Sequence, residues 1–176
     1  MQNRIWTIGH STRSIEEFTN SIKYFGIKIV ADVRRYPGSK KYPHFIKENM
    51  EKWLPANGFM YIHFENLGGR RKVKINSEND GWRLAAFRGY ADYMETENYK
   101  NELLKLMEAA ASGNLVFMCS EAVWWSCHRS LISDDLKCRG WEVIHIMKEA
   151  SSMEHPFTKP ARIVNDKLVY SKDNIT

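Results

Sequence analysis

Residues 4–33 read RIWTIGHSTRSIEEFTNSIKYFGIKIVADV and predict a strand, a helix and a second strand. Arg4 to Ile8 and Ile27 to Val33 are short runs rich in apolar and β-branched residues, which are typical of buried strands. Between them, Ser14-Ile-Glu-Glu17 is a capping-box pattern that starts a helix, and Gly26 supplies a C-terminal stop. A strand-helix-strand unit of this kind favours a parallel sheet.

The rest of the chain continues the alternation. The pattern predicts strands at Phe59 to Phe64, Asn114 to Cys119 and Trp141 to Met147, and helices at 44–54, within 83–112 and at Ser130 to Cys138. Strands joined by helices need right-handed crossovers and helices on both faces of the sheet. We therefore expect an α/β fold, a three-layer Rossmann-like sandwich with a mostly parallel sheet of about five strands.

The chain length favours one domain. A chain of 176 residues with 43% hydrophobic and 27% charged residues can bury one ordinary core. We expect a single α/β domain over 1–148. A C-terminal tail over 149–176 should pack on the same domain and contain a final short strand at Leu168 to Tyr170.

Charge and cysteine content indicate the partners and the compartment. The net charge of +5 and the pI near 9.1 favour anionic partners, either a small molecule or a nucleic acid. No apolar run approaches the ~20 residues of a membrane helix, and the first residues lack the pattern of a signal peptide. Three cysteines, an odd number, are typical of reduced thiols. We expect a cytoplasmic protein that binds no membrane, and the sequence leaves its oligomeric state open.

Polar side chains follow the predicted strands, at the edge where parallel sheets bind ligands. The third strand is followed by Glu65 and Gly68-Gly69-Arg70. The predicted site consists of four catalytic candidates, Cys119, Glu121, Cys127 and His128, and seven substrate-binding candidates, His10, Ser11, Asp32, Arg34, Arg35, Trp124 and Arg129.

Each candidate has a functional and a structural interpretation. Cys119 could be a nucleophile, because cations and a following helix N-terminus favour the thiolate, yet a buried cysteine often packs as a small apolar residue. His128 suits proton transfer and Glu121 could activate water. Arg129 could hold an anion or pair with a neighbouring carboxylate. Trp124 and its neighbour could stack on a base or cap the core.

No metal or cofactor is predicted. Cys119, Cys127 and His128 could supply an open zinc site, but structural zinc sites normally offer a paired C-x₂-C knuckle, and this spacing differs. The glycine patterns of dinucleotide and phosphate-binding loops are missing. The Cys-x₅-Arg loop of cysteine phosphatases is absent as well, because position 125 is a tryptophan.

Several sequence motifs together are similar to one family. They are Thr7-Ile-Gly-His10-Ser11, Asp32-Val-Arg34 with Pro37-Gly-Ser39, Leu67-Gly-Gly69, and Cys119-Ser-Glu121 followed by Cys127-His128-Arg129. In this order they resemble the family called domain of unknown function 488, over roughly Ile5 to Met147. The resemblance implies a common site at the matching positions and no established reaction. In this chain Val123-Trp124 stands where many relatives are expected to have Asp-Pro.

Two functions remain open. The first is an enzyme that acts on a phosphate-bearing nucleotide or nucleic-acid substrate, with Arg34 and Arg129 holding the anion. The alternative is a non-catalytic nucleic-acid-binding protein, because basic residues alternate with aromatic ones from Arg34 to Trp53.

Overall fold

The computed structural model describes residues 3–172. The strands within this range are β1 (Arg4–Gly9), β2 (Ile29–Asp32), β3 (Met60–His63), β4 (Leu115–Cys119), β5 (Glu142–Lys148), β6 (Ser151–Glu154), β7 (Arg162–Val164) and β8 (Lys167–Val169). The α-helices are α1 (Ile15–Tyr24), α2 (Lys47–Ala56), α3 (Ala85–Met94), α4 (Glu97–Ser112) and α5 (Arg129–Cys138).

The six-stranded main sheet has the order β3-β2-β4-β1-β5-β6. Strands β1 to β5 are all parallel, and β6 pairs antiparallel with β5. With five helices flanking it, this mostly parallel sheet is a Rossmann-like α/β fold, as the sequence predicts. Because the five parallel strands, β1 to β5, point the same way, the loops after β1, β2, β3 and β4 emerge at one edge.

The first strand-helix-strand unit forms for the reasons visible in its sequence. The Ser14 hydroxyl accepts a hydrogen bond from the Glu17 N–H at 3.1 Å, and the Glu17 carboxylate accepts one from the Ser14 N–H at 2.8 Å. This capping box satisfies two donors at the start of α1. Gly26 adopts a positive φ of 67°, which favours glycine and turns the chain out of the helix toward β2.

The sheet separates two apolar layers, since alternate strand residues point to opposite faces. On one face, Phe18 of α1 and Met50 of α2 pack against strand residues such as Val30 and Met118. On the other face, residues of α3, α4 and α5 pack against the remaining strand residues: Tyr90, Leu103, Leu106, Leu131, Ile132, Ala31 and Phe117. Both layers are buried, which holds the strand ends in fixed positions.

The C-terminal region contains more strand than the sequence predicts. Residues Ser151–Glu154 form β6, a sixth strand on the edge of the main sheet. The final short strand, expected at Leu168 to Tyr170, is β8, and it pairs with β7 in a separate two-stranded sheet. The sequence pattern does not predict β6, because the side chains of this strand are largely exposed and polar and its pairing depends on backbone hydrogen bonds.

None of the helices in residues 3–172 combines the length and apolar character needed to cross a bilayer.

Candidate active site

The loops after β1 and β4 lie side by side at the C-terminal edge of the sheet. The His10 N–H donates to the Cys119 carbonyl at 2.8 Å, and the Ser11 N–H donates to the Ser120 carbonyl at 3.0 Å. A Cβ atom on Gly9 would lie 1.7 Å from the Glu121 carbonyl oxygen, well inside any real contact. Only glycine therefore lets the loop after Cys119 cross the end of β1.

The two thiols and the imidazole of the predicted site come together in space. The Nδ1 atom of His128 lies 3.6 Å from the Cys127 Sγ and 3.9 Å from the Cys119 Sγ. All three ligand-type atoms lie within 4.8 Å of one another. We call Cys119, Cys127 and His128 the pocket cluster.

The orientation of His128 is fixed from the far side of its ring. Its Nε2 lies 2.8 Å from the Val33 carbonyl oxygen, which can only accept, so Nε2 carries the proton. The Nδ1 atom therefore faces the sulfurs, where it can take up a thiol proton and then carry it as part of a positively charged ring. A Cβ on Gly69 would lie 3.2 Å from this Nδ1, so the glycine leaves room for the ring.

The two thiols have pKa values shifted in opposite directions. The hydrogen bond from Cys127, together with the positive charges of His128 and Arg129, holds the pKa of Cys119 well below its ordinary value, although burial opposes this shift. Burial, and then the neighbouring Cys119, raise the pKa of Cys127 well above its ordinary value. Of the two thiols, Cys119 therefore loses its proton more readily, and Cys127 is the S–H donor of the pair.

A pocket of about 320 Å³ opens over this cluster. Its lining includes the three cluster side chains together with Arg34, Arg35, Arg70, Glu121, Phe87 and Tyr90. Arg70 and Glu121 are exposed, and Arg35 is half-buried with its guanidinium donating to the Arg70 carbonyl at 3.2 Å. Cys119, the thiol with the lowered pKa, thus lies at a pocket with cations and one carboxylate.

Asp32, Arg34 and His10 form a buried polar group beside the pocket. The Arg34 guanidinium donates to both carboxylate oxygens of Asp32, at 2.8 and 2.6 Å, and to the Phe45 carbonyl at 2.8 Å. The remaining Arg34 nitrogen lies 3.2 Å from His10 Nε2. Burial, and then the charge of Arg34, lower the pKa of His10 to about 4. Most of the hydrogen-bonding capacity of Arg34 is therefore used inside the protein.

Arg129 is also occupied internally. Its side chain is fully buried and donates to the Thr7 hydroxyl at 2.8 Å and to the Glu121 carbonyl at 2.7 Å. Its Nε is a buried donor without a partner among the described residues. The predicted anion-binding arginine thus holds the loop between the two cysteines in place.

A second polar cluster, which the sequence did not reveal, continues from Arg129 into the protein. The Thr7 hydroxyl lies 3.0 Å from His145 Nδ1, His145 Nε2 lies 2.8 Å from His155 Nδ1, and His155 Nε2 lies 2.9 Å from Asp134 Oδ1. Because the Asp134 carboxylate accepts the Nε2–H of His155, His155 Nδ1 accepts from His145 Nε2–H, and His145 Nδ1 accepts from the Thr7 hydroxyl. Each proton in this chain therefore points toward Asp134. We call Thr7, His145, His155 and Asp134 the buried relay.

The buried relay is completely enclosed. All four members are at most 1% exposed, and the Asp134 carboxylate also accepts from the Thr158 N–H and from the Tyr170 hydroxyl, both at 2.8 Å. Burial, with repulsion from His155 and Arg129, lowers the pKa of His145 to about 2. The sequence shows His145 within a predicted buried strand, but no local pattern indicates its hydrogen-bond partners.

The two adjacent tryptophans have different surroundings. Trp124 is buried and stacks on His145, with ring centroids 4.5 Å apart and parallel planes. Trp125 is 54% exposed. Ser11 is half-buried, and its carbonyl lies 3.0 Å from His10 Nδ1.

A larger cavity, of about 700 Å³, lies between α3, α4, α5 and β8. Its lining mixes acidic and basic side chains, among them Glu95, Lys100, Asp135 and Arg139. It also contains Cys138, whose pKa is raised by burial. A raised pKa disfavours the thiolate, so size alone does not make this cavity the reactive site.

Comparison with known proteins gives a family and no narrower assignment. No curated protein and no solved structure matches the chain. A family model described as Domain of unknown function DUF488 matches residues 14–136. The matched residues contain Asp32, Arg34 and the whole segment from Cys119 to Arg129, and they cover more than half of the chain. The protein therefore belongs to the DUF488 family, as its motifs predict.

Proposed function

We propose that this protein is an enzyme that acts on a phosphate-bearing nucleotide or nucleic-acid substrate, with Cys119 as its nucleophile. The observation that carries the proposal is the placement of the Cys119 Sγ at the pocket, 3.9 Å from the lone pair of His128 Nδ1. A thiol beside an imidazole is the arrangement used to activate cysteine for attack.

The direction of the proton transfers follows from the hydrogen bonds. His128 accepts the Cys119 proton on Nδ1, because its Nε2–H is already donated to Val33. The resulting imidazolium stabilises the thiolate, whose sulfur forms a bond to the electrophilic centre of the substrate as the bond from that centre to the leaving group breaks. The imidazolium returns its proton to that leaving group. Cys127 keeps its own proton, since its pKa is raised, and donates to the Cys119 sulfur. Glu121, exposed at the pocket, is suited to orient the water that releases the covalent intermediate.

The pocket favours an anionic substrate. Arg34 and Arg129 are held by internal partners, so the cations available to a ligand are Arg35 and Arg70. Two guanidiniums beside a thiol suit a phosphate group, and the net charge of +5 attracts anions over a longer range. The volume of about 320 Å³ is at the low end for ligand pockets, which fits one nucleotide or one end of a polymer.

The test is the rate of alkylation of each cysteine in reduced, metal-free protein at pH 7, located by mass spectrometry. We expect Cys119 to react at least about tenfold faster than Cys138, although Cys119 is the more buried of the two. His128→Ala should lower the alkylation rate of Cys119, whereas Cys138→Ser should leave that rate unchanged. Nucleoside monophosphates should protect Cys119 from alkylation, and this protection should be weaker in the Arg70→Ala variant. A Cys119 that reacts no faster than Cys138 would contradict the proposal.

The non-catalytic alternative places function on the basic stretch from Arg34 to Trp53. Phe45 is fully buried, and the Trp53 ring packs edge-on against Phe18, which leaves Tyr36 as the aromatic side chain most exposed in this stretch. Fewer stacking faces are therefore available than the sequence suggests, which favours the pocket. A nucleic-acid binder would bind DNA or RNA with a steep salt dependence, lose affinity in Lys40→Ala and keep it in Cys119→Ser.

A further inference from the structure

The atoms of the pocket cluster have the spacing of a tetrahedral metal site. Zinc bonds of about 2.3 Å to sulfur and about 2.05 Å to nitrogen place a sulfur and a nitrogen about 3.6 Å apart, and two sulfurs about 3.8 Å apart, in a tetrahedron. The two sulfur-to-Nδ1 distances here are 3.6 and 3.9 Å, and all three atoms lie within 4.8 Å of one another. We propose that Cys119, Cys127 and His128 bind a zinc ion whose fourth coordination position faces the pocket.

The hydrogen bonds around the cluster support metal binding. His128 donates its Nε2–H to the Val33 carbonyl, and a histidine ligand is normally held by such a bond on its other nitrogen. The Arg129 backbone N–H lies 3.5 Å from the Cys127 Sγ, where it can donate to a thiolate. Two thiolates and one neutral imidazole balance the charge of Zn²⁺, which makes the complex acceptable in this buried position.

The cluster resembles a zinc site with an open position more than a closed structural one. It offers three ligands from the chain, and all three side chains line the same pocket. Three protein ligands with the fourth position left to water or substrate is the pattern of catalytic zinc sites. The separation of Cys119 and Cys127 along the chain does not match the spacing of a structural zinc knuckle. The fold nevertheless brings the end of β4 next to the start of α5, so the three ligands meet in space.

Zinc binding would have a consequence for the thiol. Binding displaces any proton on the sulfurs, and a coordinated Cys119 has its electron pair shared with the metal. Zinc would therefore mask the nucleophile reversibly. This consequence depends on the proposed function, whereas the metal site itself does not.

The experiment uses the full chain, reduced and stripped of metal, titrated with Co²⁺ and then with Zn²⁺. We expect equimolar Co²⁺ binding with the intense near-ultraviolet absorption of thiolate-to-cobalt charge transfer, and displacement by Zn²⁺. Cys119→Ser and Cys127→Ser should each weaken binding at least about tenfold and reduce that absorption. Cys138→Ser is the matched control and should bind like the parent. Circular dichroism of the same samples shows whether each variant is folded.

Absence of cobalt binding, or binding unchanged in folded Cys119→Ser and Cys127→Ser, would overturn the metal site. Alkylation separates this proposal from the previous one. Fast alkylation of Cys119 without any cobalt binding overturns only the metal site. Cobalt binding with slow alkylation of the metal-free protein overturns only the nucleophile. With both correct, equimolar zinc should protect Cys119 and leave the rate of Cys138 unchanged.

Discussion

The pocket cluster and the buried relay contain related side chains but differ in how strongly they are hydrogen-bonded. In the relay, each imidazole nitrogen has a partner within 3.0 Å and no member is more than 1% exposed. In the pocket cluster, the hydrogen-bond contacts of the sulfurs within residues 3–172 are 3.5 Å or longer, which is ordinary for weakly bonding sulfur, and the group lines an open pocket. A network of strong hydrogen bonds fixes a structure, whereas sulfurs with weak contacts at a pocket can react or bind.

Arg129 connects the two clusters. Its guanidinium donates to Thr7 of the relay, and its backbone N–H lies beside the Cys127 sulfur of the pocket cluster. The relay thus supports the arginine that holds the loop carrying the thiols. Changes in the relay should appear as lost stability, and changes in the pocket cluster should appear mainly as lost reactivity.

Removing the acceptor of the relay should have the largest effect. Asp134→Ala leaves the donors of His155, Thr158 and Tyr170 buried without a partner. We expect the free energy of unfolding to fall by about 3–5 kcal/mol, measured by urea denaturation. Glu97→Gln, which breaks a surface ion pair with Lys100, is the control and should cost less than about 0.5 kcal/mol. Equal losses of unfolding free energy in the two variants would show that the relay stabilises the fold no more than a surface ion pair does.

The junction between the clusters should be sensitive to a single methyl group. Gly9→Ala drives a Cβ into the Glu121 carbonyl and should displace the loop, which costs about 1–3 kcal/mol of stability. The same variant should change the alkylation rate of Cys119. Gly38→Ala is the matched control, because nothing lies within 4 Å of its Cβ position. An unchanged Cys119 rate in a folded Gly9→Ala protein would refute this role.

Acid should destabilise the protein through the histidine beside the pocket. The pKa of His10 is about 4 in the folded protein and about 6.5 when unfolded, so the unfolded chain binds more protons between these values. Stability is therefore fully retained above pH 6.5 and falls as the pH drops toward 4. This single group should contribute a loss of about 2 kcal/mol between pH 7 and 5. Denaturation at both pH values should show a smaller difference for His10→Gln, and an identical difference would exclude this cause.

The smallest effect should come from the exposed tryptophan. Trp125→Ala should change the free energy of unfolding by less than about 0.5 kcal/mol, since the ring is 54% exposed. Trp124→Ala is the informative contrast, because that ring is buried on His145 and its loss should cost about 3 kcal/mol or more. Thermal denaturation followed by circular dichroism compares the two, and similar melting temperatures would contradict the assigned surroundings.

Local signals were enough to predict most of the fold. The capping box at Ser14, the turn at Gly26 and the apolar runs of β1 and β2 each depend on neighbours in sequence, and the structure confirms them. Strand β6 was missed because its pairing with β5 leaves no apolar pattern in its own side chains.

The site was partly predictable for the same reason. The parallel sheet places the loops after β1, β2 and β4 together, so His10, Asp32 and Cys119 could be grouped from the sequence. Their partners could not. The contact of His128 with Val33 joins residues 95 positions apart, and that of Thr7 with His145 joins residues 138 positions apart. Such contacts depend on the packing of whole elements, which no local pattern encodes.

The close approach of Gly9 to the Glu121 carbonyl bears on whether other members of the family have the same arrangement of site residues. A relative with any side chain at that position must route the loop after its fourth strand differently, so its cysteines, even at the same spacing, would not adopt this arrangement. Gly9 lies outside the residues 14–136 that define the family match. The motif Thr7-Ile-Gly-His10-Ser11 that resembles the family nevertheless contains this glycine, so the residue that ends the first strand is the position to inspect first in a relative.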